Sequence, residues 1–128
     1  MNRSADWLKQ AESDLAAASD SAATGHHEWA AFQAQQSAEK AVKALFQFLH
    51  GSVRGHGVTE MLRQLPPGIA APTNLLDAAR ELDKVYVTAR YPNGLASGTP
   101  ADYFTGKTSQ QLISHARTIL EFCRSQIH

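Results

Sequence analysis

Residues 27–50 read HEWAAFQAQQSAEKAVKALFQFLH, and the fold turns on that stretch. It is alanine-rich and holds neither glycine nor proline, so it predicts a long uninterrupted helix from about His27 to His50. Trp29, Phe32, Val42, Leu45, Phe46 and Leu49 recur at helical spacing and form its expected core face. Gly51, Gly55 and Gly57 then break the chain.

The same period extends to both sides. Upstream, Ser4 is a good N-cap and Asp6 sits where a helix dipole favours an anion. Trp7, Leu8, Ala11, Leu15, Ala18 and Ala22 make one stripe, which Gly25 ends. Downstream, Val58, Met61, Leu62 and Leu65 mark a short helix stopped by Pro66-Pro67-Gly68. A third long helix starts near Thr73 or Asn74 and points Leu75, Leu76, Ala79, Leu82, Tyr86 and Ala89 inward. Pro92 disfavours helix at Tyr91, so this helix should end near Arg90. The last helix begins between Thr105 and Ser109 and carries Leu112, Ala116, Ile119, Leu120, Cys123 and Ile127 to the end of the chain. No strand-like alternation or internal repeat interrupts the pattern. It predicts an all-α, up-and-down bundle of four long helices plus a short helix, one domain over residues 1–128.

Composition narrows the function classes. With 128 residues, 43% of them hydrophobic, the chain can bury a real core. Twelve basic and twelve acidic residues cancel, so bulk charge does not indicate a strongly basic nucleic-acid binder, although a local basic patch stays open. The single cysteine, Cys123, allows no internal disulfide and no cysteine-based zinc cluster. It lies on a core stripe and reads as an inert buried thiol. A reducing cytoplasm is the natural location. No run approaches the roughly 18 apolar residues of a membrane span, and the polar start is not a signal-peptide core.

Chemically capable residues crowd at Ala89–Gly94 and Ala101–Gly106, around a linker longer than a bundle turn needs. Arg90 reads either as a clamp for phosphate or carboxylate, which its planar fork binds in bidentate fashion, or as a cation placed at a helix C-terminus by the dipole. Asp83 and Arg90, seven apart, share a face with Tyr86. Tyr91, Tyr103 and Phe104 suit either stacking on a base or plugging the open end of a bundle, the plainer reading. Thr105 reads as an N-cap. On the second helix, Glu39 and Lys43 are four apart, as are Gln36 and Lys40. They form either a solvated or partner-facing surface or a polar seam facing Arg90, in which a buried Glu39 would need a cation. His26, His27, His50, His56, His115 and His128 lack metal-site spacing, and no motif calls for a metal or cofactor. Neither a phosphate-binding Gly-rich loop nor a nucleophile elbow is present.

In order, Asp14-Leu15, the run Gln35–Leu45, His56, Leu82–Tyr86, Ala89-Arg90-Tyr91-Pro92 and Pro100–Thr105 resemble the HEPN domain (higher eukaryotes and prokaryotes nucleotide-binding) over essentially the whole chain. The resemblance implies a bundle of four or five helices, often a homodimer. Many members are encoded beside a minimal nucleotidyltransferase, frequently as toxin and antitoxin. Catalytic members are metal-independent RNases in which four to six residues separate an arginine from a following histidine. Arg90 matches the arginine, but Leu95, Ala96 and Ser97 hold the histidine positions, and no histidine follows before His115. The leading expectation is therefore a non-catalytic module associated with nucleotide or RNA and partnered by a nucleotidyltransferase, with Arg90, Tyr91, Glu39, Lys43 and Asp83 as ligand-binding residues. The alternatives are an RNase with an atypical site around Arg90, with His56 standing in for the histidine, and a helical scaffold with no small ligand.

Overall fold

A computed structural model describes residues 2–127. In chain order its helices are α1 (Ser4–Ala23), α2 (His27–Phe48), α3 (Val58–Arg63), α4 (Thr73–Asp83), α5 (Val85–Thr88), α6 (Pro100–Tyr103) and α7 (Gly106–Gln126), with single 3₁₀ turns at Pro67–Ile69 and Pro92–Gly94. No strand occurs among the described residues. The all-α bundle expected from the periodicity is what forms; His128 lies outside the described residues.

α2 is the central element: α1 packs along it, α7 packs against both, and α4 completes the bundle on α7. Close approach is possible because the buried face of α2 is mostly alanine. Ala30, Ala31, Ala34, Ala38 and Ala41 are fully buried, as are Ala11 and Ala18 of α1. Small side chains let helix axes come near, so backbone atoms enter the contact. Ser37 Oγ donates to the Ala11 carbonyl at 2.7 Å, across the α1–α2 contact. Val42, Leu45, Met61, Leu62, Leu82, Ile113 and Ile119 fill the wider parts of the core. Trp29, expected on the core face, is instead 49% exposed. The alanines take the inward positions, and a large ring does not fit between such close helices.

Several ends differ from the sequence reading. Ser4 is the first helical residue rather than the cap, and its N–H donates to Asn2 Oδ1 at 2.8 Å. After α2 the left-handed position falls on His50 (φ 61°), not on a glycine. There the N–H of Gly51 returns to the Phe46 carbonyl at 2.8 Å. The helix expected to run to Arg90 breaks at Lys84 into α4 and α5. Val85, Val87 and Thr88 are poor helix formers, and Thr88 Oγ1 bonds back to the Lys84 carbonyl at 2.9 Å, a contact that favours bending. Thr105 does cap α7, accepting from Thr108 N at 3.2 Å.

The close packing of α2 can be tested at its alanines. Ala34→Leu should cost about 1–3 kcal/mol by overpacking, read as a lower urea midpoint at unchanged slope; an unchanged midpoint would mean the helices are not in close contact there. Burial also pushes the Cys123 thiol from its ordinary 9.0 up to about 12. Native protein at about pH 8 should therefore resist thiol reagents that label the unfolded chain at once. Because the folded value is raised, this stabilising contribution is complete below 9.0 and fades as pH climbs toward about 12.

Candidate functional site

Arg90 follows the last turn of α5, and its Nε donates to the Tyr86 carbonyl one turn back at 3.0 Å. Its guanidinium carbon lies 4.3 Å from the Phe32 ring centre, 4.6 Å from that of Tyr86 and 5.0 Å from that of Tyr91. Ring faces attract a cation, Arg most of all. Among the described residues Arg90 makes no salt bridge, like Lys9, Arg54, Arg63, Lys107 and Arg117; what sets it apart is that three rings surround it. The rings thus hold the planar group in one place and leave its charge uncompensated by any described carboxylate.

Glu39 is buried within α2, contrary to the solvated-surface reading. A buried carboxylate needs partners, and Glu39 has them. Lys43 Nζ donates to Oε2 at 3.1 Å, His56 Nδ1 meets Oε1 at 2.9 Å, and Gln35 Nε2 approaches Oε1 at 3.4 Å. Arg90 is not among them. Gln35 Nε2 also donates to the His56 carbonyl at 3.0 Å, so α2 grips His56 by backbone and side chain. The His56 ring stacks on Tyr86, centres 4.5 Å apart and planes at 16°. The tautomer that donates Nδ1–H to Glu39 leaves Nε2 as an acceptor. Glu39 and Arg90 are therefore linked indirectly, through His56 and Tyr86.

Asp83 holds a helix start. Its Oδ1 accepts from Val58 N at 2.7 Å and its Oδ2 from Thr59 N at 3.2 Å, which ties the start of α3 to the end of α4. Tyr91 and Tyr103 are 51% and 49% exposed and do not plug the bundle; Phe104 is partly buried against the core. Asp102 is engaged locally. The Thr99 N–H at 2.9 Å and its hydroxyl at 3.0 Å hold the Asp102 carboxyl below the usual carboxylate range, the backbone bond contributing most.

A cavity of about 400 Å³ is lined by His56, Gly57, Asp83, Lys84, Tyr86 and Val87. A larger groove of about 650 Å³ between α4 and α7 contains none of the five sequence-predicted site residues. Among the described residues no group of three His, Cys, Asp or Glu is placed to hold a metal ion, and no helix is long and apolar enough to cross a membrane. Phe32 and Gln35 were not among the expected site residues, and Tyr86 was expected only on the face shared by Asp83 and Arg90, as helical spacing requires; Phe32 joins only through the packing of α2 beside α5.

The HEPN domain family model matches residues 4–126. Among solved structures, a protein from Thermus thermophilus is 36% identical with a TM-score of 0.96, covering 98% of this chain and 99% of that one. An archaeal HEPN homologue is 39% identical with a TM-score of 0.85 and full coverage of both chains, 100% each. A HEPN domain protein from Thermotoga maritima is 33% identical with a TM-score of 0.77, covering 94% of this chain and 95% of its own. No curated protein sequence matches.

Removing the Asp83 carboxylate should orphan two N–H groups at the start of α3. Asp83→Ala is expected to cost about 1–2 kcal/mol and to speed hydrogen exchange at Val58 and Thr59. Unchanged exchange there would show that the carboxylate does not hold α3.

Proposed function

The chain belongs to the HEPN family, and we propose that it is a non-catalytic, nucleotide- or RNA-associated module. It acts with a minimal nucleotidyltransferase in a two-component, toxin–antitoxin-like system, as a homodimer in the cytoplasm. The observation that carries the reading is Arg90, a cation fixed between Phe32, Tyr86 and Tyr91 with no described carboxylate to neutralise it. Such a group is preorganised for a phosphate, which the guanidinium fork binds by two charge-assisted hydrogen bonds. The missing histidine at Leu95, Ala96 and Ser97 supports binding without cleavage. The half-exposed Trp29, Val87, Tyr91 and Tyr103 support a second copy or a partner that covers apolar surface.

One observation favours a second reading. His56 stacks on the same Tyr86 ring that Arg90 faces, and Glu39 orients it. A general base at Nε2 beside a phosphate-binding arginine is the minimum for metal-independent RNA cleavage.

Short single-stranded RNA incubated with the pure protein in EDTA separates the two. The proposed function predicts saturable binding, weakened about tenfold or more in Arg90→Ala, and intact RNA throughout. Cleavage lost in both Arg90→Ala and His56→Ala would establish the RNase instead. An absence of saturable binding by wild type, with nucleotide or RNA, would reject the ligand claim. The partner claim predicts co-elution with a nucleotidyltransferase encoded beside the gene, and separate elution would remove it.

A further inference from the structure

His56 stands between two glycines, Gly55 and Gly57, in the loop after α2. Gly55 takes a φ of 96°, which glycine adopts at no steric cost. A chain this permissive does not fix a side chain by itself. Here α2 does so: Glu39 Oε1 meets the ring Nδ1 at 2.9 Å, and Gln35 Nε2 donates to the His56 carbonyl at 3.0 Å. Glu39 is itself buried on a long helix, so the bond aims the ring in one direction.

The imidazole lies flat on the Tyr86 ring, centres 4.5 Å apart and planes at 16°. The Tyr86 hydroxyl makes no hydrogen bond among the described residues. Packing therefore sets its ring, and the rings that pack on it are His56 and Phe32, the latter 6.2 Å away and tilted by 45°. Tyr86 in turn meets Arg90 through two groups. Its carbonyl accepts from Nε at 3.0 Å, and its ring centre lies 4.6 Å from the guanidinium carbon. Phe32, on the same helix as Glu39 and about two turns before it, lies 4.3 Å from that carbon. α2 thus reaches Arg90 directly through Phe32, and at greater remove through Glu39, His56 and Tyr86.

Resting on the reading of Arg90 as a phosphate-binding group, we infer that Glu39 is a positioning residue for Arg90. Its carboxylate fixes His56, the His56 ring fixes that of Tyr86, and Tyr86 keeps the guanidinium in one orientation. The scheme needs only an acceptor at Oε1, and no proton transfer is asked of it. A guanidinium ordered before the phosphate arrives loses less side-chain freedom on binding. Disturbing Glu39 should therefore weaken a phosphate ligand that it does not touch.

The test uses Glu39→Leu, which removes the acceptor, Glu39→Gln, which keeps one, His56→Ala, which removes the ring, and Glu39→Leu combined with His56→Ala. Two quantities are read from each: rotation of the Arg90 guanidinium in the free protein, from its Nη NMR signals, and affinity for adenosine 5′-monophosphate. Thermal melts confirm that each variant is folded at the temperature used. Glu39→Leu and His56→Ala should each speed the rotation and weaken the nucleotide about fivefold or more, while Glu39→Gln stays close to wild type. In the His56→Ala background Glu39→Leu should add nothing, because its effect runs through the missing ring. His56→Ala alters a loop side chain that is 54% exposed, so it reads the coupling even where Glu39→Leu fails to fold. Unchanged rotation in His56→Ala would overturn the inference, and so would an equal further loss from Glu39→Leu without the His56 ring. Faster rotation in the variants, with no saturable nucleotide binding by wild type, would uphold the coupling of Glu39 to Arg90 and overturn the phosphate reading alone.

Discussion

The site depends on the burial of one carboxylate. Glu39 lies inside the bundle on the helix that every other long element touches or frames. An ionised group there is tolerable only with close, well-oriented partners. Lys43 supplies the charge from the next turn of α2. The rest comes from a distance in sequence, because the loop after α2 must return so that His56 can reach Oε1. Gln35 holds the same loop by its backbone. The need to satisfy Glu39 thus places His56, His56 lies on Tyr86, and Tyr86 is one of the rings that confine Arg90.

The packing of the bundle makes this arrangement possible. Alanines keep α1 and α2 close, so the polar residues of α2 lie beside backbone and side chains of α1 rather than in water: Ser37 bonds to Ala11, and Lys40 pairs with Asp14 at 2.7 Å. On another side α2 presents Phe32 toward Tyr86 and Arg90 at the end of α5, and the Trp29 ring lies edge to face against Phe32 at 6.2 Å. The break at Lys84 lets α5 and the residues after it depart from the line of α4, and Asp83 uses the same point to secure α3. The uncompensated arginine, its rings and the stacked histidine therefore gather around the end of α5. The separate groove between α4 and α7 carries acidic side chains such as Asp77 and Glu81, already paired with Arg80 and Lys84.

Much of this was legible in the residues, and the illegible parts share a cause. Periodicity and caps revealed the long helices, the Thr105 start of α7 and the buried Cys123, because those signals are local. The Glu39–Lys43 pair has the spacing of an ordinary surface ion pair, and nothing within α2 reveals that tertiary contacts bury it. Trp29 fell on the apolar period, yet neighbouring alanines took the inward positions. The amides that Asp83 holds lie on α3, and that proximity exists only after folding. Arg90 was visible as a helix-end cation. That it is held by aromatic rings and not by an acid required Phe32 and Tyr91 to be placed around it.

Arg90 is held by rings without a neutralising acid, and phosphate binding is proposed from that arrangement. Side-chain ¹⁵N NMR of the arginines tests it most directly, recorded for the free protein and during titration with adenosine 5′-monophosphate. The expected result is slow rotation of the Arg90 guanidinium in the free state, seen as separate Nη signals, and a saturable shift of its Nε–H resonance as the phosphate arrives. A freely rotating Arg90 whose resonance stays unmoved by the nucleotide would contradict it.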